Sequence, residues 1–396
     1  MKNNKYDITF KVSDFPDLKF NIISYNYRSS VFNPVDQLNI EIFSDDIEDL
    51  VSKTYGLRKV FFYIDGKKQF AGIIINQSIN DNGIVSLECE SYLSILNMAT
   101  FDNSIKIKQG EDIFKTIQKS ITHLNFNEVS DNWQDVKKER TGYDFSSTTQ
   151  EISRTIGYDW KKQENENVFS LIKRIIERYG LFLQYGTNGI AIFKLAQLPQ
   201  NRENTHPGTI IRNYKDKISN ILNGSVQRNY KDFKTYYETN GRTVGAKEAT
   251  QTLNTIIPTE SYATDIFINN IGHIQSNFNW DKVKITELPA EGRIYIPFYS
   301  KDTDSKNKQE LENKTYREYA KTLKELLVAE YTFSGHELND VLLCPDIFIK
   351  INDNIGGINE SMYISDVSFS YSDKPITRIL CYSGLINDLV SGANNI

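Results

Sequence analysis

Apolar and polar residues alternate over most of the first hundred positions, the two-residue period of a half-buried strand. Tyr6 to Val12 puts Ile8, Phe10 and Val12 on one face, and Leu38 to Phe43 does the same with Leu38, Ile40 and Ile42. Apolar runs follow at Val60–Ile64, Phe70–Ile75 and Ile84–Leu93. Asp65-Gly66 and Asp81-Asn-Gly83 stand between them and mark tight hairpin turns. Residues 1–98 therefore read as six strands with hairpin turns, closed by a helical turn or two between Ser91 and Met98.

The period then changes. In Gly110–Ile121 the apolar positions Ile113, Phe114, Ile117 and Ile121 recur at helical spacing, with acids in the first turn. A polar, irregular stretch over 127–162 holds Trp133 and Trp160. A second helix is predicted over Asn165–Gly180, its buried side made of Val168, Leu171, Ile172, Ile175, Ile176 and Tyr179, with Gly180 as its stop. A hairpin follows, Leu181–Tyr185 and Ile190–Leu195 around Gly186-Thr-Asn-Gly189. Residues 99–205 thus form an α+β module, ending in a polar linker at Gln197–Pro207.

From Ile218 the strand pattern returns and runs to Tyr237. A long polar region follows, with strands expected at Lys282–Thr286 and Arg293–Phe298 and a helix from Leu311 to Ala329. Strands resume at Tyr331–Phe333. Then come Ile347–Ile351, Met362–Val367 and Ile376–Leu385, which repeat the order Val60–Ile64, Phe70–Ile75 and Ile84–Leu93. The last blocks align without a gap, with Ile84/Ile376, Cys89/Cys381, Ser91/Ser383 and Leu93/Leu385 identical. The expected fold class is α+β, mainly β. It consists of two similar small antiparallel β-barrels, an α+β middle module, and a domain inserted in the second barrel. The boundaries are 1–98 for the first barrel, 99–205 for the module, 206–238 with 330–390 for the second barrel, and 239–329 for the insertion. A trimer of such chains presents six similar barrels in a ring, a way to join a threefold object to a sixfold one.

Composition narrows the function. The chain has 396 residues, of which 39% are hydrophobic, and a formal net charge of -5. Specific nucleic-acid recognition normally carries a basic excess, which is absent. No run approaches the roughly twenty apolar residues of a membrane span, so no stable membrane insertion is expected. The Met1–Asp7 segment has no apolar core of a signal peptide, and assembly in a bacterial cytoplasm is expected. The three cysteines Cys89, Cys344 and Cys381 match neither a disulfide framework nor a zinc spacing. The 23 Tyr and 22 Phe suit strands and broad protein interfaces.

Catalytic motifs are missing. Gly241-Arg-Thr-Val-Gly-Ala-Lys247 lacks the Gly-Lys adjacency of a phosphate loop. Asp302-Thr-Asp304 starts like a calcium loop but continues with Lys306 and no glycine. His123, His206, His273 and His336 are scattered, and no Gly-x-Ser-x-Gly elbow occurs. No catalytic, metal or cofactor residue is assigned. Plentiful carboxylates leave room for a glycosidase pair in 238–310, so a tail-associated peptidoglycan hydrolase is carried as the enzymatic alternative. A carbohydrate-binding β protein is a third reading.

Three stretches together resemble the baseplate hub family of contractile phage tails and R-type bacteriocins, the Mu-like late control D group. They are Val60–Gly66 with Phe70–Ile73 and Val85–Ser91, then Val168–Leu183, then Tyr331–His336 with Cys344–Ile351 and Met362–Val367. The last also resembles the type VI spike protein VgrG. One departure is Asp346 after Pro345, where the family usually has glycine. The resemblance implies a non-enzymatic, homotrimeric, pseudo-sixfold adaptor. Its implied partners are the tail tube or a tube-initiator protein on one face and a trimeric spike on the other, with further baseplate proteins and a tape measure. A VgrG-like spike is the structural alternative. Tyr27, Arg28, Phe32 and Asn33, in the aromatic stretch Tyr27–Pro34 between two barrel strands, are the candidate intersubunit contacts. A plain surface loop is the competing reading.

Overall fold

The computed structural model describes residues 6–383 except 45, 101–105, 125, 127–128, 146–151, 153–154, 157–158, 160–165, 187–188, 197–205, 214–217, 230–235, 243–249, 254, 257–273, 276–296, 303–323 and 325–326. Six strands occupy the first part: β1 (Ile8–Val12), β2 (Asn21–Ser30), β3 (Gln37–Phe43), β4 (Lys59–Ile64), β5 (Lys67–Ile79) and β6 (Ile84–Ser91). Helix α1 (Ile47–Thr54) joins β3 to β4, capped by the Asp46 side chain. The β4–β5 turn uses positive φ at Asp65 (49°) and Gly66 (72°), the geometry that a two-residue hairpin requires. Helix α2 (Leu93–Met98) closes this part.

The middle part holds α3 (Ile113–Ile121), β7 (Val129–Ser130), α4 (Trp133–Thr141), α5 (Val168–Arg178), β8 (Phe182–Tyr185) and β9 (Ile190–Phe193). Asp112 caps α3 and Asn167 caps α5, each accepting a backbone N–H of the first turn. The predicted apolar stripes of both helices are buried in one core with β8 and β9. Helix α4 lies in the stretch expected to be irregular. That expectation is corrected: the helix hides Trp133, Lys137 and Arg140 on its buried face, a set that hydrophobic periodicity does not register.

Strands β10 (Thr209–Asn213), β11 (Ile218–Ser219) and β12 (Asn223–Arg228) begin the last part. Five short strands follow: β13 (Tyr236–Arg242), β14 (Thr250–Leu253), β15 (Thr255–Ile256), β16 (Ile274–Gln275) and β17 (Pro297–Asp302). The strand expected at Lys282–Thr286 lies outside the described residues, as do the final residues from 384. Then come β18 (Leu327–Ser334), β19 (Glu337–Leu338), β20 (Val341–Leu342), β21 (Ile347–Asp353), β22 (Ile358–Tyr371) and β23 (Pro375–Ser383). The late helix was expected to reach Ala329, but Leu327–Ala329 belong to β18. Their alternate side chains are buried between β12 and β23, and this pairing overrides helix propensity.

The first six strands lie in the order β1-β4-β5-β6-β3-β2, and the last part gives β10-β21-β22-β23-β18-β12. Position for position, this is the same order. Even the irregularities agree. A bulge interrupts β5–β6 just past Ile74, which faces Cys89, and one interrupts β22–β23 just past Ile364, which faces Cys381. A β-bulge inserts one residue and bends a strand, so a shared bulge is evidence of common design. The outermost strands differ, since β1 pairs β4 antiparallel whereas β10 pairs β21 parallel. Among the described residues neither half closes as a ring of paired strands. The halves join instead through β2 and β22 into one 13-stranded sheet, and one apolar core runs beneath both.

Candidate functional site

Two structures tie the halves together. The first is the strand junction. β22 is 14 residues long, and one of its edges is divided. Ile358–Ile364 pair with β21, and Asp366–Tyr371 pair antiparallel with Tyr25–Ser30 of β2. Val31 extends the pairing, donating its N–H to the Ser365 carbonyl at 2.9 Å. Tyr25, Tyr27, Val367 and Phe369 point into the shared core. Below them His336 is fully buried. Its Nε2 sits 2.6 Å from the Tyr25 hydroxyl and its Nδ1 3.2 Å from the Thr377 hydroxyl. Burial lowers its pKa from 6.5 to about 4, so it is neutral at neutral pH.

The second is α4, which reaches both halves from the middle part. Trp133, Lys137 and Arg140 are spaced four and three apart, one helical face. Arg140 turns to the first half. It donates to the Asp36 carboxylate (3.0 Å), the Tyr27 hydroxyl (3.2 Å), the Ser29 hydroxyl (3.2 Å) and the Tyr185 carbonyl (3.2 Å). Burial pushes the Asp36 carboxyl up from its usual range, and the adjacent guanidinium offsets only part of that rise. Lys137 and Trp133 turn to the second half and both meet Asp346. Lys137 Nζ lies 2.9 Å and Trp133 Nε1 3.0 Å from Oδ2, while the Ala196 N–H (2.7 Å) and the Tyr363 hydroxyl (3.1 Å) donate to Oδ1. Both ion pairs are buried, with side-chain exposures of 0% and 1% for Lys137–Asp346 and 6% and 2% for Arg140–Asp36.

Asp346 also accounts for the departure noted after Pro345. Its φ is 65°, the left-handed region that favours glycine but admits aspartate. Here the side chain at that position accepts four donors. Nothing in the sequence flagged Asp36, Arg140, Lys137 or Asp346 as a connected set. The one available signal was the aspartate standing where glycine is usual.

The four candidate contact residues occupy the same junction. Tyr27 is buried and bonded to Asp36 and Arg140. Arg28 is exposed and pairs with Asp366 of β22 at 3.2 Å. The Phe32 ring meets Phe182 of the middle part and Tyr382 of the second half, both at 6.0 Å between centroids. Asn33 is exposed, and its N–H donates to the Ser30 hydroxyl. So Tyr27, Arg28 and Phe32 all make contacts that join parts of this chain.

Among the described residues no group of three or more His, Cys, Asp or Glu side chains is placed to hold a metal ion. No described helix is long and apolar enough to cross a membrane. Most of 238–310, where the carboxylate pair of a hydrolase was considered, lies outside the described residues.

No protein-family model and no curated protein matches the chain. Solved structures do. A tail protein from Neisseria meningitidis MC58 superposes with a TM-score of 0.70 at 14% identity, covering 98% of this chain and 99% of its own. The 43 kDa tail protein of prophage MuSo2 from Shewanella oneidensis gives 0.65 at 12% identity, with 96% and 99% covered. This chain has the fold of phage tail proteins. The fold extends to the E. coli c3393 protein, described as a component of the type VI secretion system with structural similarity to T4 bacteriophage tail proteins gp27 and gp5. That match has a TM-score of 0.53 at 9% identity, over 95% of this chain and 76% of that one. Similarity over nearly the whole length means that the doubled sheet and the middle part belong to the tail-protein fold together.

Proposed function

We propose that this chain is the structural baseplate hub of a contractile tail or an R-type bacteriocin, without catalytic activity. Three copies form a ring in which each chain supplies two similar halves, each closing as a small barrel. One face docks the sixfold tail tube or its initiator protein, and the other seats a trimeric spike. Other baseplate proteins surround it, and the tape measure is a further partner. Assembly takes place in the bacterial cytoplasm. The barrels are 1–98 and 206–238 with 330–390, joined by 99–205, and 239–329 is an inserted domain. Exposed Arg28 and Asn33, beside Tyr27 and Phe32, contribute to contacts between subunits.

The observation that carries this reading is the strand order repeated in the two halves, bulge included. A chain with two equivalent halves turns a trimer into an approximate hexamer, and head-to-tail contacts close into a ring. Mass photometry of the purified chain tests it. The expected particle has three times the 45.7 kDa chain mass, and its averaged image has six similar lobes. A monomer or a dimer at micromolar concentration overturns it. The type VI match favours one rival, a VgrG-like spike. Co-expression with a separate spike protein of the same gene cluster separates the two, because a hub binds such a spike end to end and a VgrG-like chain does not.

A further inference from the structure

We propose that copies of this chain join by strand addition: the outer edge of β12 pairs antiparallel with the far half of β5 in the next copy, Val226 opposite Ile79 and Arg228 opposite Gln77. This deepens the trimeric reading above and rests on it.

The template is the junction inside the chain. There the second half offers the far end of β22, and the first half offers the outer edge of β2. The shared strand order makes β5 the counterpart of β22 and β12 the counterpart of β2. Among the described residues both counterparts are left over. β5 is 13 residues long, but β4 pairs it only as far as Ile73, while β6 runs beside it to Ile79. β12 pairs with β18 along one edge, and no other described strand pairs with it. One junction is therefore consumed within the chain, and one edge of each kind remains. That is the condition for a head-to-tail ring.

Register follows from the two cysteines used as rulers. Across the sheet, Cys89 faces Leu38, which faces Tyr27, and Cys381 faces Ala329, which faces Val226. Val226 is thus the counterpart of Tyr27. Ile74 and Ile364 face the same cysteines, so beyond the bulge Gln77 corresponds to Val367 and Ile79 to Phe369. Inside the chain Tyr27 faces Phe369 and Ser29 faces Val367. Carried across, Val226 faces Ile79 and Arg228 faces Gln77. The pairing begins past Gly224, whose carbonyl accepts from the Arg212 guanidinium.

Exposure agrees. Phe369 is fully buried in the internal junction, whereas its counterpart Ile79 is 51% exposed and its neighbour Ile75 38%. An open strand edge with exposed isoleucines is a liability unless a partner strand covers it. The internal junction shows what that cover looks like.

The test uses the full chain carrying Gln77→Cys with Arg228→Cys under mild oxidation. The three native cysteines are buried and free, so the engineered pair alone is accessible. Directly opposed strand residues lie within disulfide reach. Covalent dimers and trimers are expected on a non-reducing gel. The control pair Ser78→Cys with Arg228→Cys, whose side chains leave opposite faces, should give at least tenfold less. A trimer by mass photometry that does not cross-link at the matched pair overturns the register and leaves the hub reading standing. A monomer overturns both. Ile79→Asp, a change at a residue exposed in the single chain, should lower the trimer fraction at least tenfold while leaving the circular dichroism unchanged. A trimer indifferent to it overturns the proposal.

Discussion

At the scale of single residues, two aspartates and a histidine hold buried polar contacts whose loss can be measured. Asp353 accepts hydrogen bonds from Nε (2.7 Å) and Nη2 (2.6 Å) of the Arg212 guanidinium, from the Tyr331 hydroxyl (2.8 Å) and from the Gly356 N–H (2.8 Å). Burial works against its charge, but these donors prevail and hold its carboxyl below the usual range. Asp346→Gly is the informative substitution. It removes the side chain from a left-handed backbone, and it also leaves Lys137 buried without its counter-charge. Losing one partner of a buried pair costs about 3–5 kcal/mol, more than relief of a left-handed residue returns. Urea unfolding should show a net loss of that size, and Lys137→Met added to Asp346→Gly should recover part of it. His336 gives a pH signature. Its folded pKa, near 4, lies below its unfolded value near 6.5, so the unfolded chain takes up the proton first. Its contribution is full above about pH 6.5, falls as pH drops towards 4 and then levels off, about 3 kcal/mol in all. Comparing urea midpoints of wild type and His336→Gln across that window isolates it; parallel profiles refute the assignment.

At the scale of elements, hydrophobic periodicity found what buries apolar faces. The stripes of α3 and α5, and the alternation of β1 and β3, are readable because their inward residues are aliphatic or aromatic. α4 was not readable. Its inward face is Trp133, Lys137 and Arg140, and two of the three count as solvated until Asp36 and Asp346 are placed beside them. β2 escapes the periodicity for a related reason: Ser24, Ser29 and Ser30 dilute its alternation, and its tyrosines are buried by residues distant in sequence, Phe62 and Phe70 of the first half and Phe369 and Tyr371 of β22. Copies of one element have also diverged. Met362 stands in β22 where β5 has Gly72, by the same cysteine ruler. A Cβ at Gly72 would collide with the Glu90 carbonyl and the Phe70 ring. Gly72→Ala should therefore cost about 1–3 kcal/mol, the range for overpacking, read as a lower thermal midpoint.

At the scale of the whole molecule, the plan of two similar ends around a different middle was legible from the repeated blocks, because local alternation records which strands exist. The continuity of the sheet was not. It depends on β22 outrunning β21 and meeting β2 more than three hundred residues away in sequence, and no local pattern encodes that. The two ion pairs of α4 bind all three parts, so they should unfold together. A single transition is expected in calorimetry, and Arg140→Met with Lys137→Met should split it in two.

The bulge beside each cysteine has a historical consequence. The same kink opposite the same residue, in strands at the same place in the order, is what doubling of one ancestral sheet would leave. A single copy of this six-stranded sheet spans only about a quarter of the present chain, and on the trimeric reading proposed above six such copies would close a circle. Once two copies were fused, alternate joints no longer had to be alike. One is sealed within the chain at synthesis, and in the proposed trimer the other is left to form between copies.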